Sequence, residues 1–200
     1  MSSTLSISDQ INHKYREYAL YVLQSRGIPN FYDSLTPVQR IILENSPSHF
    51  NKTIGLVGEV IRTGLYHHGD SSLSGAISKL ARPFGCSYQV LEGDGFFGSP
   101  VNPSPSAARY TSVRINPGIK NIVNRHSDLN EKNEEGGHDW LHVEVPVGLL
   151  THIIGIAVGY RSNILPRKME DIIEYLEGKN KILKPYFRDF TGKIYKFENE

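Results

Sequence analysis

Three prolines in close succession, Pro100, Pro103 and Pro105, constrain this chain more than any other feature. Each fixes φ and removes a backbone donor, so the run from Ser99 to Pro105 can be neither helix nor central strand. It must be an irregular loop, and loops are where chemistry is often placed. The loop delivers the stretch Ser106–Asn116, with Arg109 and Tyr110 at its centre. A tyrosine beside an arginine is usually packing plus a solvated charge. The pair also allows a specific chemistry. A phenol ionises near pH 10, so it needs help to attack a phosphodiester. A neighbouring guanidinium can hold the phosphate by two hydrogen bonds, and a divalent metal can polarise it. No Asp-x-Asp cluster is present to bind such a metal, so it would have to come from another chain.

Elsewhere hydrophobic spacing marks out helices. Ser8 is placed to cap a helix striped by Ile11, Tyr15, Tyr18 and Val22, which Arg26-Gly27-Ile28-Pro29 ends. Thr36-Pro37 starts a short second helix through Val38, Ile41 and Ile42, stopping before Ser46-Pro47. Ile54, Val57, Ile61 and Leu65 stripe a third; a fourth buries Leu73, Ile77 and Leu80 and stops at Pro83. Ser87–Glu92 has strand composition, and Gly93–Gly98 reads as a turn or tight hairpin. Helices followed by strand-turn-strand is the order of a winged helix, whose second helix enters the major groove. Beyond it, Asn116–Gly137 reads as a polar surface excursion and Leu141–Pro146 as an extended edge segment. Val147–Val158 returns to the core, and Pro166–Leu176 is a helix with Met169, Ile172, Ile173 and Leu176 on one side. The tail carries Tyr186, Phe187, Phe190, Ile194, Tyr195 and Phe197 among charges, which suggests a strand or two.

Other patterns exclude more than they assign. Gly93-x-Gly95-x-x-Gly98 matches the dinucleotide fingerprint, but Ser99-Pro100 follows where a helix should open, so the glycines read as turn geometry. Adjacent histidines such as His67 and His68 cannot easily share one metal ion; hydrogen bonding at a helix start, or contact with phosphate, is more economical. One cysteine, Cys86, excludes an internal disulfide and a cysteine-based zinc site. The chain has no signal-like start and no apolar run long enough to span a bilayer, which predicts a cytoplasmic protein without membrane contact. Net charge is +1, but Arg26–Arg125 holds ten Lys and Arg against six Asp and Glu, whereas His126–Glu200 holds ten against thirteen. The basic surplus in the first half suits a polyanion, and a solvated surface equally well.

Seven stretches occur together in one order: Arg26-Gly-Ile-Pro29, Leu35-Thr-Pro-Val-Gln-Arg40, Tyr66-His-His-Gly-Asp-Ser71, Ala81-Arg-Pro-Phe84, Gly93-Asp-Gly-Phe-Phe-Gly-Ser99, Ala107-Ala-Arg-Tyr-Thr111 and Gly155-Ile-Ala-Val-Gly159. In these the chain resembles the breakage-reunion (A-type) subunit of type II DNA topoisomerases, including gyrase A, topoisomerase IV A and, nearer in style, the medium subunit of T-even phage topoisomerase. The resemblance implies an α+β fold. Residues 1–34 would form an N-terminal helical arm, 35–125 a winged-helix (CAP-like) DNA-gate domain, and 126–200 the beginning of a tower-like α/β domain. It implies that Tyr110 is the cleavage tyrosine, forming a 5′-phosphotyrosyl link, with Arg109 as its transition-state partner. Arg26, Arg40, His67, His68, Ser71, Lys79 and Arg82 would contact DNA. Ile156, by its residues alone an ordinary core position, would be the isoleucine that wedges between base steps. Double-stranded DNA, a second copy of the chain and a partner subunit are the implied partners. The partner would bind Mg²⁺ and hydrolyse ATP. Departures are Thr36 for a common lysine, Tyr66-His67-His68 for His-Pro-His, and Gly-Asp-Gly-Phe-Phe-Gly for Gly-Gln-Gly-Asn-Phe-Gly. The chain also ends where the family's tower begins. A non-catalytic DNA-binding or topoisomerase-modulating protein, or an unrelated winged-helix regulator, is the alternative.

Overall fold

Ser6, not Ser8, caps the first helix: its hydroxyl oxygen accepts from the Asp9 amide, and α1 runs Ile7–Val22. In the computed structural model, which describes residues 6–179 and 182–195, the expected stripe on α1 is buried only at its end. Val22 packs inside, while Ile11, Tyr15 and Tyr18 are all more than half exposed. A wider π-type turn, Leu23–Gly27, follows. Helix α2 spans Pro37–Glu44, with proline in its first turn and the Gln39 side-chain oxygen accepting from the Thr36 amide at 3.0 Å.

Helices α3 (Thr53–Arg62) and α4 (Asp70–Ala81) pack together. Leu73, Ile77 and Leu80 of α4 face the core as the spacing predicts. On α3 the buried face is Thr53, Leu56, Val57 and Val60, and Ile54 and Ile61 stand in solvent. Apolar residues lie all round α3, so spacing alone leaves its rotation open. Thr53 sets it: its amide donates to the Thr111 carbonyl at 3.0 Å and its hydroxyl meets that of Thr111 at 2.8 Å.

Three short strands, β1 (Asn51–Lys52), β2 (Leu91–Asp94) and β3 (Ser112–Ile115), form an antiparallel sheet in the order β1-β3-β2. Leu91 pairs with Ile115 and Asp94 with Ser112. The expected strand from Ser87 starts late because the Ser87 and Tyr88 amides donate to the Leu150 carbonyl instead. The expected surface excursion after Asn116 opens with a helix, α5 (Pro117–Asn124), capped by the Asn116 side chain and burying Ile119 and Val123. Leu141–Pro146 forms no strand; Leu141 and Val145 are buried, and the Leu141 amide donates to the Asp33 carboxylate.

A hairpin of β4 (Ile153–Ala157) and β5 (Tyr160–Ile164) and a helix α6 (Met169–Leu176), which buries Ile172, follow. Residues 182–195 show one bridge, Arg167 to Pro185, rather than the expected strands; Phe197 lies outside the described residues. The buried cluster runs from Leu35 to Ile172 without a break at 125/126. Asp33 is wholly buried, and Ser34 beside it is left-handed at φ 56°. A Cβ on Gly148 would lie 1.8 Å from the Ser34 carbonyl oxygen, and the Gly148 amide donates to the Asp33 carbonyl at 2.9 Å. The two segments therefore touch backbone to backbone.

Candidate nucleic-acid interface

Tyr110 sits in a tight turn, its amide donating to the Ala107 carbonyl at 2.9 Å. The turn is anchored on α3: the Ile54 amide donates to the Ala108 carbonyl, and Thr53 grips Thr111. Two thirds of the Tyr110 side chain is exposed, and the Arg109 guanidinium carbon lies 4.7 Å from its ring centroid. A cation over the ring face holds the phenol in a defined direction without taking up its hydroxyl. Upstream, the glycines do serve backbone geometry. Gly95 has φ +106°, and Gly98, at φ +95°, leaves room for the Pro103 carbonyl, 2.7 Å from where a Cβ would stand.

A groove of two adjoining cavities, each of about 550 Å³, runs between α4 and the β4–β5 hairpin. Arg26, His67, His68 and Ile156 line the first, and Lys79 and Arg82 the second; Ile154 and Ser72 line both. Six of the sequence-predicted contacts are thus brought to one concave face. Small residues allow this. A Cβ on Gly27 would lie 2.8 Å from the Ala157 Cβ, and one on Gly155 would lie 2.3 Å from the Gly27 carbonyl. The Ser162 hydroxyl donates to that carbonyl at 2.6 Å. The π-type turn therefore seats against the hairpin and puts Arg26 in the groove. Arg26 Nη2 lies 2.8 Å from His68 Nδ1, and Tyr66 meets His68 edge to face. Burial, then the positive charges of Arg26 and His67, holds the His68 pKa below its usual value. Burial likewise raises the Tyr66 phenol.

Arg40 is not placed to touch DNA. It is buried, with Nε 2.7 Å from one Asp33 oxygen and Nη2 3.1 Å from the other, and it also donates to the Leu35 and His138 carbonyls. A guanidinium so occupied is a structural cation. Ser71 is exposed on the first turn of α4 but does not line the groove; Ser72 does. Ile156 is not core: it is two-thirds exposed on the outer side of β4. Ile154, two residues along the same strand face, escaped sequence reading, although its alternation with Ile156 was legible. Tyr110 itself lies outside both cavities. Among the described residues no three His, Cys, Asp or Glu side chains converge as a metal site would require.

Residues 26–200 match the family model that describes the A subunits of DNA gyrase and topoisomerase IV. The chain belongs to this family. Among A-type relatives, the DNA gyrase A protein of Buchnera aphidicola (subsp. Baizongia pistaciae) is 32% identical over 94% of this chain and 24% of its own length. The DNA topoisomerase medium subunit of enterobacteria phage T4 is 28% identical over 95% of this chain and 46% of its own. The crystal structure of the Plasmodium falciparum topoisomerase II DNA-binding, cleavage and re-ligation domain superposes with a TM-score of 0.81 at 31% identity. That match covers 96% of this chain and 28% of the other. This A-type chain thus spans 24% to 46% of the length of these relatives.

Proposed function

We propose that the chain is the DNA breakage and reunion part of a type II topoisomerase, with Tyr110 as nucleophile. The observation that carries this is an exposed tyrosine, fixed on α3 and faced by Arg109, in a member of the gyrase/topoisomerase IV A family. The Tyr110 hydroxyl loses its proton and attacks phosphorus. A phenolic O–P bond forms, the P–O3′ bond breaks, and the 3′ oxygen leaves as a hydroxyl. The 5′-phosphotyrosyl link conserves the bond energy, so the 3′ hydroxyl can reverse the step without ATP. In this reading Arg109 stabilises the charge on the phosphate.

In this reading residues 35–125 are a winged-helix domain, with α3 and α4 as its helix pair and the β2–β3 connection as its wing, and 126–200 begin a tower-like domain. The groove holds the duplex through Arg26, His67, His68, Lys79 and Ile156. A second copy cuts the opposite strand, and a partner subunit supplies Mg²⁺ and ATP hydrolysis. The test mixes the chain with a metal- and ATP-binding topoisomerase subunit, Mg²⁺ and supercoiled DNA. Tyrosine-linked cleavage that disappears in Tyr110→Phe is expected. Equal behaviour of wild type and variant would overturn the proposal, and salt-dependent binding without cleavage would identify a DNA-binding protein instead.

A further inference from the structure

Arg82 is the residue at which the chain leaves α4. Its Nη2 donates to the Pro103 carbonyl at 2.8 Å, and its guanidinium carbon lies 5.4 Å from the Phe84 ring centroid. Its Nε is buried and has no acceptor. A bidentate grip on phosphate along that edge needs Nε together with a terminal nitrogen. Here Nε is shut away and Nη2 is taken by the loop, so Arg82 is poorly placed for that grip and well placed as a clasp.

What it clasps is stiff. The Pro103 carbonyl sits against Gly98, whose missing side chain makes room for it. The Ser99 amide donates to the Asn102 carbonyl at 2.7 Å, and the Asn102 amide to the Ser99 hydroxyl at 3.0 Å. Pro100, Pro103 and Pro105 fix their own φ angles, so a displacement at Pro103 has little slack to absorb it before Ser106. The Ser106 amide then donates to the Phe96 carbonyl at 2.9 Å, four residues before Tyr110. The far end of this segment is tied to α3 through Ala108 and Thr111, while Arg82 ties the near end to the helix that lines the groove.

We propose that Arg82 is a positioning residue for Tyr110, clasping the proline loop to the end of α4 so that groove helix and nucleophile turn keep one relative placement. This rests on Tyr110 being the nucleophile. The experiment is hydrogen exchange on the full chain, wild type against Arg82→Ala and Arg82→Gln, with duplex DNA binding measured over a salt series. Arg82→Ala is expected to speed exchange in residues 99–110 about tenfold while leaving β3 protected, as loss of a charged clasp would. The salt slope of binding should stay at the wild-type value. Arg82→Gln, which keeps an amide donor but no charge, should recover most of the protection. Unchanged exchange in 99–110 would overturn the proposal, as would a salt slope shallower by about one with the loop unaltered, the mark of a phosphate contact. If Arg82→Ala loosens the whole chain, Arg82→Gln decides, since a loop as open as in the alanine variant would reject the clasp. With the partner subunit, Arg82→Ala should also slow covalent-complex formation at saturating DNA, and Arg82→Gln should restore it. Cleavage by Tyr110→Phe equal to wild type would refute the nucleophile and leave the exchange result standing.

Discussion

Asp33 and Arg40 form a buried ion pair whose partners lie seven residues apart across the α2 start. Removing one member strands the other charge inside the protein. Arg40→Ala is therefore expected to lose roughly 3–5 kcal/mol of stability, read from a urea titration. The resemblance implies a DNA contact for Arg40, and nothing local in the sequence reveals that Asp33, Leu35 and His138 converge on it. Arg26 and His68, which the resemblance also names, do line the groove. His68 also gives a pH prediction. Free, its pKa is held down, so it is neutral at neutral pH. Phosphate favours the protonated form, so the bound pKa is the higher one and binding takes up a proton. Affinity for duplex should therefore rise as pH falls from about 7.5 towards 6, and His68→Gln should lose that component in a titration across this range. Ile156→Ala, at an exposed position, should change stability by less than about 0.5 kcal/mol yet reduce DNA bending, measured by energy transfer between duplex ends.

At the level of elements, α4 and the glycine turn were readable because their signals are local: a clean apolar spacing in one, fixed backbone needs in the other. Of the stripe that spacing predicts on helix α3, Val57 is buried while Ile54 and Ile61 face solvent. Its rotation is fixed by Thr111, which lies 58 residues away. Helix α5 has a start signal in Asn116-Pro117, but the polar run after it dominates the composition and hides it. The β4–β5 hairpin depends on close approach to the π-type turn. In Gly155→Ala the added methyl would meet the Gly27 carbonyl and the Ser162 hydroxyl, 2.3 and 2.6 Å away. The variant should lose about 1–3 kcal/mol, and the Arg26 side of the groove should open first in hydrogen exchange.

For the molecule as a whole, buried residues on both sides of 125/126 pack together. Leu35 and Ile172 belong to one buried cluster, and Leu150 accepts from both Ser87 and Tyr88. Long-range closure of this kind leaves no compositional trace in the sequence. The chain should unfold in one step, with Trp140 fluorescence and far-ultraviolet dichroism coincident in urea. The meeting of Ser34 with Gly148 adds a rule of substitution. Gly148 has no tolerated replacement, because any side chain enters a backbone carbonyl. Ser34, held at positive φ, accepts glycine readily and asparagine next, and resists branched residues. In a saturation library selected for folding, these two sites should therefore form a narrow coupled pair. That restriction would apply whether or not DNA is cleaved.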